Sequence, residues 1–312
     1  MPISKLIPIP SRSHIAMKNI TTNAAMEWLF RMAQRSPFNI APERGGELAS
    51  EIFGAEKWTI EPSNQPANFF AIPQDKAIYL TAAGQASLWC LAYVAFHVMD
   101  VASRSQRTVE HENQSYVDIG QYYAALHLGE YVAFSRSLFH ADRPWATNLE
   151  TPTKDPRESS NEWRVNNIYL GALSWILLHE IGHVYHGDQK FVPSDIRIRQ
   201  EYLADDFATK WILSSAGQGL EREFRILMIA VALTWLFLNE SEIGKGTTHP
   251  AAILRFREAA AQFKAGERSV GLENASYLLK AVLDPATQPP VHETPMEAFE
   301  WISGRLEDLF PG

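Results

Sequence analysis

Cysteine is nearly absent from this chain, which has only Cys90 among its 312 residues. No disulfide can form within the chain, and this is typical of a protein from a reducing compartment. The first residues also lack the sustained apolar stretch of a signal peptide and are interrupted by Pro8 and Pro10. We therefore expect a cytoplasmic protein.

Long hydrophobic runs and excess positive charge are also missing. The longest apolar run covers residues 226–238, only thirteen residues, whereas a bilayer-spanning helix needs about 20. Lys and Arg number 28 against 36 Asp and Glu, a net charge of −8. Because this balance offers no basic field at the level of the whole chain, it predicts no nucleic-acid partner and no membrane partner.

Short strand-like segments are confined to residues 57–81, where β-branched and aromatic residues are bounded by Pro, Asn and Asp. Most of the remaining chain shows helical patterns. Helices are predicted at about 14–35, 86–100, 159–186, 196–214, 224–238 and 250–265, and after Thr294. Residues 101–116 and 141–159 read as loops, and the second of these is long enough to border a binding cleft. The sequence thus predicts an α+β protein that is predominantly helical, with a small N-terminal sheet.

The stretch "LLHEIGHVYHGD", residues 177–188, contains the pattern HExxH. Residues four apart lie on one face of a helix, so His179 and His183 can direct two imidazoles at one point. This is how two histidines bind zinc while the glutamate, here Glu180, acts as general base. Apolar residues immediately before His179 place these polar groups in a buried helix, where they are costly unless paired or metal-bound. The competing interpretation is a polar stripe of histidines with ordinary hydrogen-bond partners.

A catalytic zinc site takes three protein ligands and keeps one position open. Glu201, 18 residues after His183 in "QEYLADDFA", is a candidate third ligand on a returning helix. Asp205 is four residues further on the same face and could accept the free ring N–H of a liganding histidine. Both could instead be ordinary helix carboxylates, and the adjacent Asp206 competes with Asp205 for this role. His186 is better explained by the helix C-terminal dipole than as a ligand.

"HEIGH" followed by "EYLAD" resembles the HExxH plus Glu-x-x-x-Asp pattern of the zinc metallopeptidases that use a glutamate ligand. The segments "LSWILLHEIGHVYHGD" and "RQEYLADDFATKWIL" are most similar to the Lit-type phage-exclusion peptidases. The resemblance implies one Zn²⁺ per chain and a zincin-like core whose edge strand holds extended substrate. The resemblance is strongest over about residues 120–215, and we expect a single metallopeptidase domain over residues 1–312. Within it, the N-terminal α/β portion would span about 14–100 and the active-site core about 120–265.

The same family resemblance implies a substrate. Lit-type peptidases cut a translation elongation factor during phage infection, which makes such a factor the expected protein substrate. A regulatory peptidase of this kind can be latent until a trigger binds, so a phage-derived activator is a candidate partner.

A further segment, "THPAAILRF", resembles the His-Pro segment of membrane-associated intracellular zincins, with His249, Pro250 and Arg255 at the corresponding positions. His249 could stabilise the oxyanion of the tetrahedral intermediate. The alternative is a histidine near a helix N-terminus with no catalytic role. This chain lacks the transmembrane segments of those enzymes, which disfavours that identity.

Two rival functions remain open from the sequence. One is a peptidase that cleaves a transcriptional repressor, although no helix-turn-helix segment is evident here. The other is a zinc-stabilised module that binds a partner without cutting it. Glu180 discriminates against the module, because a purely structural zinc site has a closed fourth position and needs no base.

Overall fold

The computed structural model describes residues 24–54, 58–112, 119–189, 191–244 and 249–312. Its helices are α1 Ala24–Ala33, α2 Ser36–Ile40, α3 Gly45–Leu48, α4 Ala82–Glu112, α5 Ile119–Ala125, α6 Leu128–Ser137, α7 Asn161–His186, α8 Ser194–Leu213, α9 Leu220–Ile243, α10 Ala252–Ala260, α11 Val270–Leu283 and α12 Pro295–Leu309. The strands are β1 Thr59–Ser63, β2 Phe69–Ile72 and β3 Ala77–Thr81. The predicted α+β class with few strands is confirmed. The zincin-like core and the single-domain division stay predictions.

The three strands form one sheet in the order β1-β3-β2, with β1 parallel and β2 antiparallel to β3. Successive side chains of a strand point to opposite faces of the sheet. One face is turned to the core, and the side chains buried on it are Ile60, Phe69, Ile78 and Leu80. In the described part of the chain, β2 is an edge strand. This edge contacts α7, so the sheet lies beside the helix that carries the HExxH pattern.

Helix α7 is central to the helical layer and packs against α4, α8 and α9. Its N-terminus is capped by Ser160, whose hydroxyl accepts a hydrogen bond from the Trp163 N–H. The predicted helix start at residue 159 is too early, because Ser159 adopts a φ of 65° and precedes the cap. The predicted helix end at residue 186 is confirmed, and Gly187 follows it with a φ of 67° that favours glycine.

Two other expectations need correction. Residues 101–112 belong to α4 and not to a loop; this stretch is polar but contains neither Gly nor Pro, so nothing in it stops the helix. Residues 113–118, and residues 14–23 of the first predicted helix, lie outside the described residues. Helix α11 has no counterpart among the predicted helices, although Ser269 caps it by accepting from the Leu272 N–H.

The long connection 141–159 is free of helix and strand, as predicted. Trp145 packs on Trp89 and Phe134, with ring centroids 5.6 Å and 5.5 Å apart. The Thr153 carbonyl accepts from the Asn166 side chain near the start of α7. Asn166 and His179 are thirteen residues apart, or about 20 Å along a helix. These contacts therefore do not bring the loop to the histidines, and its role at a cleft stays a prediction.

Two helical stretches, Ala82–Arg104 and Leu220–Ile243, are long and apolar enough to cross a bilayer by length and composition alone. Within the most apolar window of each, 78% and 67% of the residues are buried inside the protein. Core helices of soluble proteins pass the same test, so these stretches are weak evidence for a membrane span. The prediction that the chain has no membrane partner stays a prediction.

Candidate metal centre

The two helices that carry the predicted ligands form a tight hairpin. Helix α7 ends where Gly187 donates to the Val184 carbonyl and Asp188 donates to the His183 carbonyl. Helix α8 then returns against α7. A Cβ added at Gly182 would lie 3.0 Å from Ala204 Cα, so the glycine of HEIGH permits the close approach of the two backbones. This approach brings Glu201 of α8 level with the histidines of α7.

Three candidate ligand atoms converge on one point. His179 Nε2 lies 3.1 Å from His183 Nε2 and 3.4 Å from Glu201 Oε2. His183 Nε2 lies 3.6 Å from Glu201 Oε1. Tetrahedral zinc with bonds near 2.0–2.1 Å separates its ligand atoms by about 3.3 Å. The triangle formed by His179, His183 and Glu201 therefore has the size that a metal ion of this kind requires.

Both histidines present their Nε2 atoms because their other ring nitrogens are occupied. His179 Nδ1 lies 2.8 Å from Asp205 Oδ1, and His183 Nδ1 lies 2.8 Å from Asp188 Oδ2. A carboxylate at Nδ1 accepts the ring N–H there, which leaves the Nε2 lone pair for a metal. The sequence pattern predicted Asp205 for this arrangement but missed Asp188, whose placement depends on the turn after α7.

Arg255 of α10 completes the buried part of the site. Its Nε and one Nη each lie 2.7 Å from an Asp205 oxygen, the paired geometry of a strong arginine–carboxylate contact. The arginine is only 7% exposed and the aspartate 3%. In the sequence Arg255 stands out only as part of the His-Pro resemblance, because its separation of 50 residues from Asp205 gives no local signal of the contact.

Glu201 has an unusual environment for a buried carboxylate. Among the described residues its Oε2 has no hydrogen-bond partner. His249 Nδ1 lies 3.0 Å away, but this approach does not meet hydrogen-bond geometry, and the His249 side chain is 57% exposed. Leaving a buried acceptor without a donor is costly. A cation at the centre of the triangle would satisfy it, so these residues fit a metal ion.

Glu180 lies beside the triangle and is buried with it. Its Oε2 accepts a hydrogen bond of 2.9 Å from the Ala71 N–H of β2, and its Oε1 is 4.0 Å from His179 Nε2. Burial raises the pKa of Glu180 above its ordinary value, partly offset by the two histidines. A carboxylate with a raised pKa, next to a metal position and tied to an edge strand, has the placement of a general base.

The surrounding charges strongly shift the pKa values of the other groups in the cluster. Burial alone would lower the pKa of His179, but the hydrogen bond and charge of Asp205, with Glu201, raise it to about 10. Burial would raise the pKa values of Glu201 and Asp205, yet His179 holds the first well below its usual range and Arg255 lowers the second. Glu201 is therefore ionised over the ordinary pH range and offers a charged oxygen to a cation.

The other candidates lie outside this cluster. His186 is exposed and its ring contacts Tyr185 and Phe207. Asp206, the competitor of Asp205, faces the surface and pairs with Lys210 at 2.7 Å. All six predicted site residues, by contrast, lie together: His179, Glu180, His183, Glu201, Asp205 and His249.

The comparisons with known proteins agree with a hydrolytic role. A family model described as Peptidase U49 matches residues 78–275, well over half of the chain. The chain belongs to the peptidase U49 family. It is also 27% identical over 237 residues to the cell death peptidase of Escherichia coli strain K12, covering 73% of this chain and 78% of that protein. No solved structure matches it.

Membership of the U49 family makes this chain a peptidase related to the Lit-type group named from its motifs. The matched region begins in β3 and ends in α11, and it includes the whole metal-sized triangle and Arg255. A His-His-Glu cluster able to hold a metal is therefore present in the segment that defines the family.

Proposed function

We propose that this peptidase is a zinc-dependent endopeptidase that hydrolyses a peptide bond in a specific protein of its own cell. His179, His183 and Glu201 are the proposed ligands of one zinc ion, and Asp205 orients His179. The observation that carries the proposal is the convergence of three ligand atoms within 4.8 Å while each histidine Nδ1 is held by its own carboxylate. When bound there, zinc would supply Lewis-acid chemistry that activates water and polarises the scissile carbonyl.

Glu180 is the proposed general base. Its carboxylate takes a proton from the attacking water as the water oxygen bonds to the carbonyl carbon. It then delivers that proton to the amide nitrogen as the C–N bond breaks, so the base is regenerated. Burial of Glu180 beside the ligands, with an N–H of β2 as its donor, supports this role.

Strand β2 is the proposed binding edge for substrate. Ala71 directs its N–H away from β3 and toward Glu180. In an antiparallel pair the carbonyl of such a residue points to the same side. An extended segment of substrate could pair with this edge and lie beside the base, the mode known as strand addition.

His249 is the proposed oxyanion donor. It is exposed at the mouth of the site and 3.0 Å from Glu201, so its imidazole could reach a carbonyl oxygen bound next to the metal.

For the substrate we propose a translation elongation factor, cleaved in the cytoplasm during an abortive response to phage, with a phage-derived activator as trigger. The motif resemblance and the similarity to a protein named cell death peptidase support this narrower proposal. The acidic net charge of −8 accords with a protein substrate and no nucleic-acid partner.

The experiment is a search for new protein N-termini in Escherichia coli lysate, with and without phage infection, after addition of zinc-loaded protein. Wild type is compared with Glu180→Gln and with Glu300→Gln, which changes an exposed glutamate of α12. Cuts made by wild type and by the α12 variant, but not by Glu180→Gln, are the expected result. Equal cleavage by all three proteins would contradict the proposal.

A further inference from the structure

The two histidines of the metal centre are anchored very differently. The His179 side chain is 8% exposed and bonds to a buried aspartate that is itself held by Arg255. The His183 side chain is 19% exposed. Its Nδ1 is held by Asp188 at 2.8 Å, a residue near the protein surface with a side chain 13% exposed. Among the residues that the structure describes, the Nδ1 of His183 is thus held by one carboxylate, which lies close to solvent.

That carboxylate is placed by the turn that ends α7. Gly187 adopts a φ of 67°, and nothing lies within 4 Å of where its Cβ would be, so the residue is needed for its backbone conformation. The turn sends the Asp188 N–H back to the His183 carbonyl at 3.0 Å. Asp188 is therefore bonded to His183 through both backbone and side chain, and its position is set locally by the turn.

Helix stability gives no reason for an acid at this point. The C-terminal end of a helix carries partial negative charge, which disfavours a carboxylate and favours a cation. Asp188 sits at that end, directly after the αL residue Gly187. Its contact with the imidazole of His183 offsets this disadvantage.

We propose that Asp188 is a positioning residue of the metal centre, which fixes the tautomer and orientation of His183 so that its Nε2 faces the metal. The inference rests on the proposed function, because it assumes that His183 is a ligand. It adds the turn after α7 to the metal centre, so that the functional motif becomes HExxHxxxGD. Loss of a carboxylate of this kind weakens metal binding by about 10- to 100-fold.

The test measures zinc affinity by chelator competition for wild type, Asp188→Asn and Asp188→Ala. Asp206→Asn is the matched control, because Asp206 is an aspartate of the same hairpin that pairs with Lys210 at the surface. We expect about a 10- to 100-fold weaker affinity in both Asp188 variants and no change in the control. Asp188→Asn is isosteric at a surface turn, so it keeps the test valid even if the alanine variant folds poorly.

A second readout separates positioning from general structure. In zinc-loaded protein an imidazole Nδ1–H bonded to a carboxylate gives a proton resonance protected from exchange. We expect one such resonance to vanish in Asp188→Ala and to persist in Asp206→Asn. We also expect the visible spectrum of cobalt-substituted Asp188→Ala to differ from that of cobalt-substituted wild type. Wild-type affinity and spectra in the Asp188 variants would overturn the inference while leaving the metal centre intact. Absence of zinc binding in wild type would instead defeat the proposed function itself, and this inference with it.

Discussion

Among the described residues, Arg225 and Arg255 are almost completely buried, and their surroundings differ in one instructive way. Arg225 of α9 bonds to both Glu43 oxygens, to Glu221 and to the Ile212 carbonyl. Arg255 of α10 bonds to Asp205, which continues to His179. Both arginines therefore neutralise acids, but only the second cluster extends to a histidine.

The first cluster is complete in itself. Its acids are partly exposed, 34% for the Glu43 side chain and 63% for that of Glu221, so water supplies what the arginine does not. The second cluster is buried and still leaves Glu201 Oε2 without a hydrogen-bond partner among the described residues. A charge network in which every acceptor has a donor or water holds two elements of the fold together. A buried network that leaves an acceptor such as Glu201 Oε2 without a donor is arranged to bind a cation.

Replacing Arg255 should have the largest effect. Arg255→Met removes the paired guanidinium contact from the buried Asp205 carboxylate and leaves only His179 beside it; breaking a buried pair in this way costs about 3–5 kcal/mol. We expect the free energy of unfolding, measured by urea denaturation, to fall by about that amount and zinc affinity to fall with it. A loss well below about 1 kcal/mol would mean that water replaces the arginine and that the pair is not truly buried.

Arg225→Met is the matched change in the other cluster. The expected destabilisation is smaller, about 2 kcal/mol, because its acids can turn to solvent while the Ile212 carbonyl loses a charged donor. Zinc affinity should equal that of wild type. If it fell as much as in Arg255→Met, the two clusters would be one coupled network and the contrast between them would not hold.

The stability of the metal-free protein should depend on pH in the alkaline range. His179 has a pKa raised to about 10, against 6.5 for an unperturbed histidine. Its contribution to stability is complete below about pH 6.5 and is lost as pH rises toward about 10, by at most about 1.4 kcal/mol per unit. Thermal denaturation between pH 6.5 and 10 should reveal this slope in metal-free protein and not in zinc-loaded protein, where the proton has been displaced.

His179→Gln and His186→Gln are the controls for this slope. The exposed His186 lies outside the cluster, so its variant should keep the wild-type slope, and the His179 variant should lose it. An unchanged slope in His179→Gln would assign the dependence to another group.

Ser160→Ala should have the smallest effect. Ser160 caps α7 at the end far from the histidines, and loss of such a cap costs about 1 kcal/mol. Urea denaturation should register this loss while zinc affinity stays at the wild-type value. A parallel fall in zinc affinity would show that the metal centre responds to any weakening of α7, and it would undermine the comparison of the two arginines.

Local spacing explains how much of the centre could be predicted from the sequence. His179 and His183 are four apart on one helix, and Glu201 and Asp205 are four apart on the next, so each pair shares a face whatever the rest of the fold does. Gly187 directly follows the predicted helix 159–186, and a glycine there is typical of a helix end, so that a second helix can return. These local rules were enough to predict that the four side chains lie together.

The parts that sequence reasoning missed depend on geometry beyond one helix face. Asp188 reaches His183 only because Gly187 takes a positive φ, and the exact direction of the chain after that glycine is not written in residue spacing. Arg255 reaches Asp205 across the packing of α10 on α8. The polar residues of 101–112 favour an exposed loop, but the stretch is helical because it holds neither Gly nor Pro to end α4.

The most direct test of the metal centre is the zinc content of the purified protein after equilibrium dialysis, measured for wild type, Glu180→Gln and Glu201→Gln. Glu180 lies beside the ligands as a base, whereas Glu201 supplies the third ligand atom. We therefore predict about one zinc per chain in wild type and Glu180→Gln, and a clearly lower content in Glu201→Gln. No zinc in wild type, or equal zinc in all three proteins, would contradict the assignment of His179, His183 and Glu201 as a metal centre.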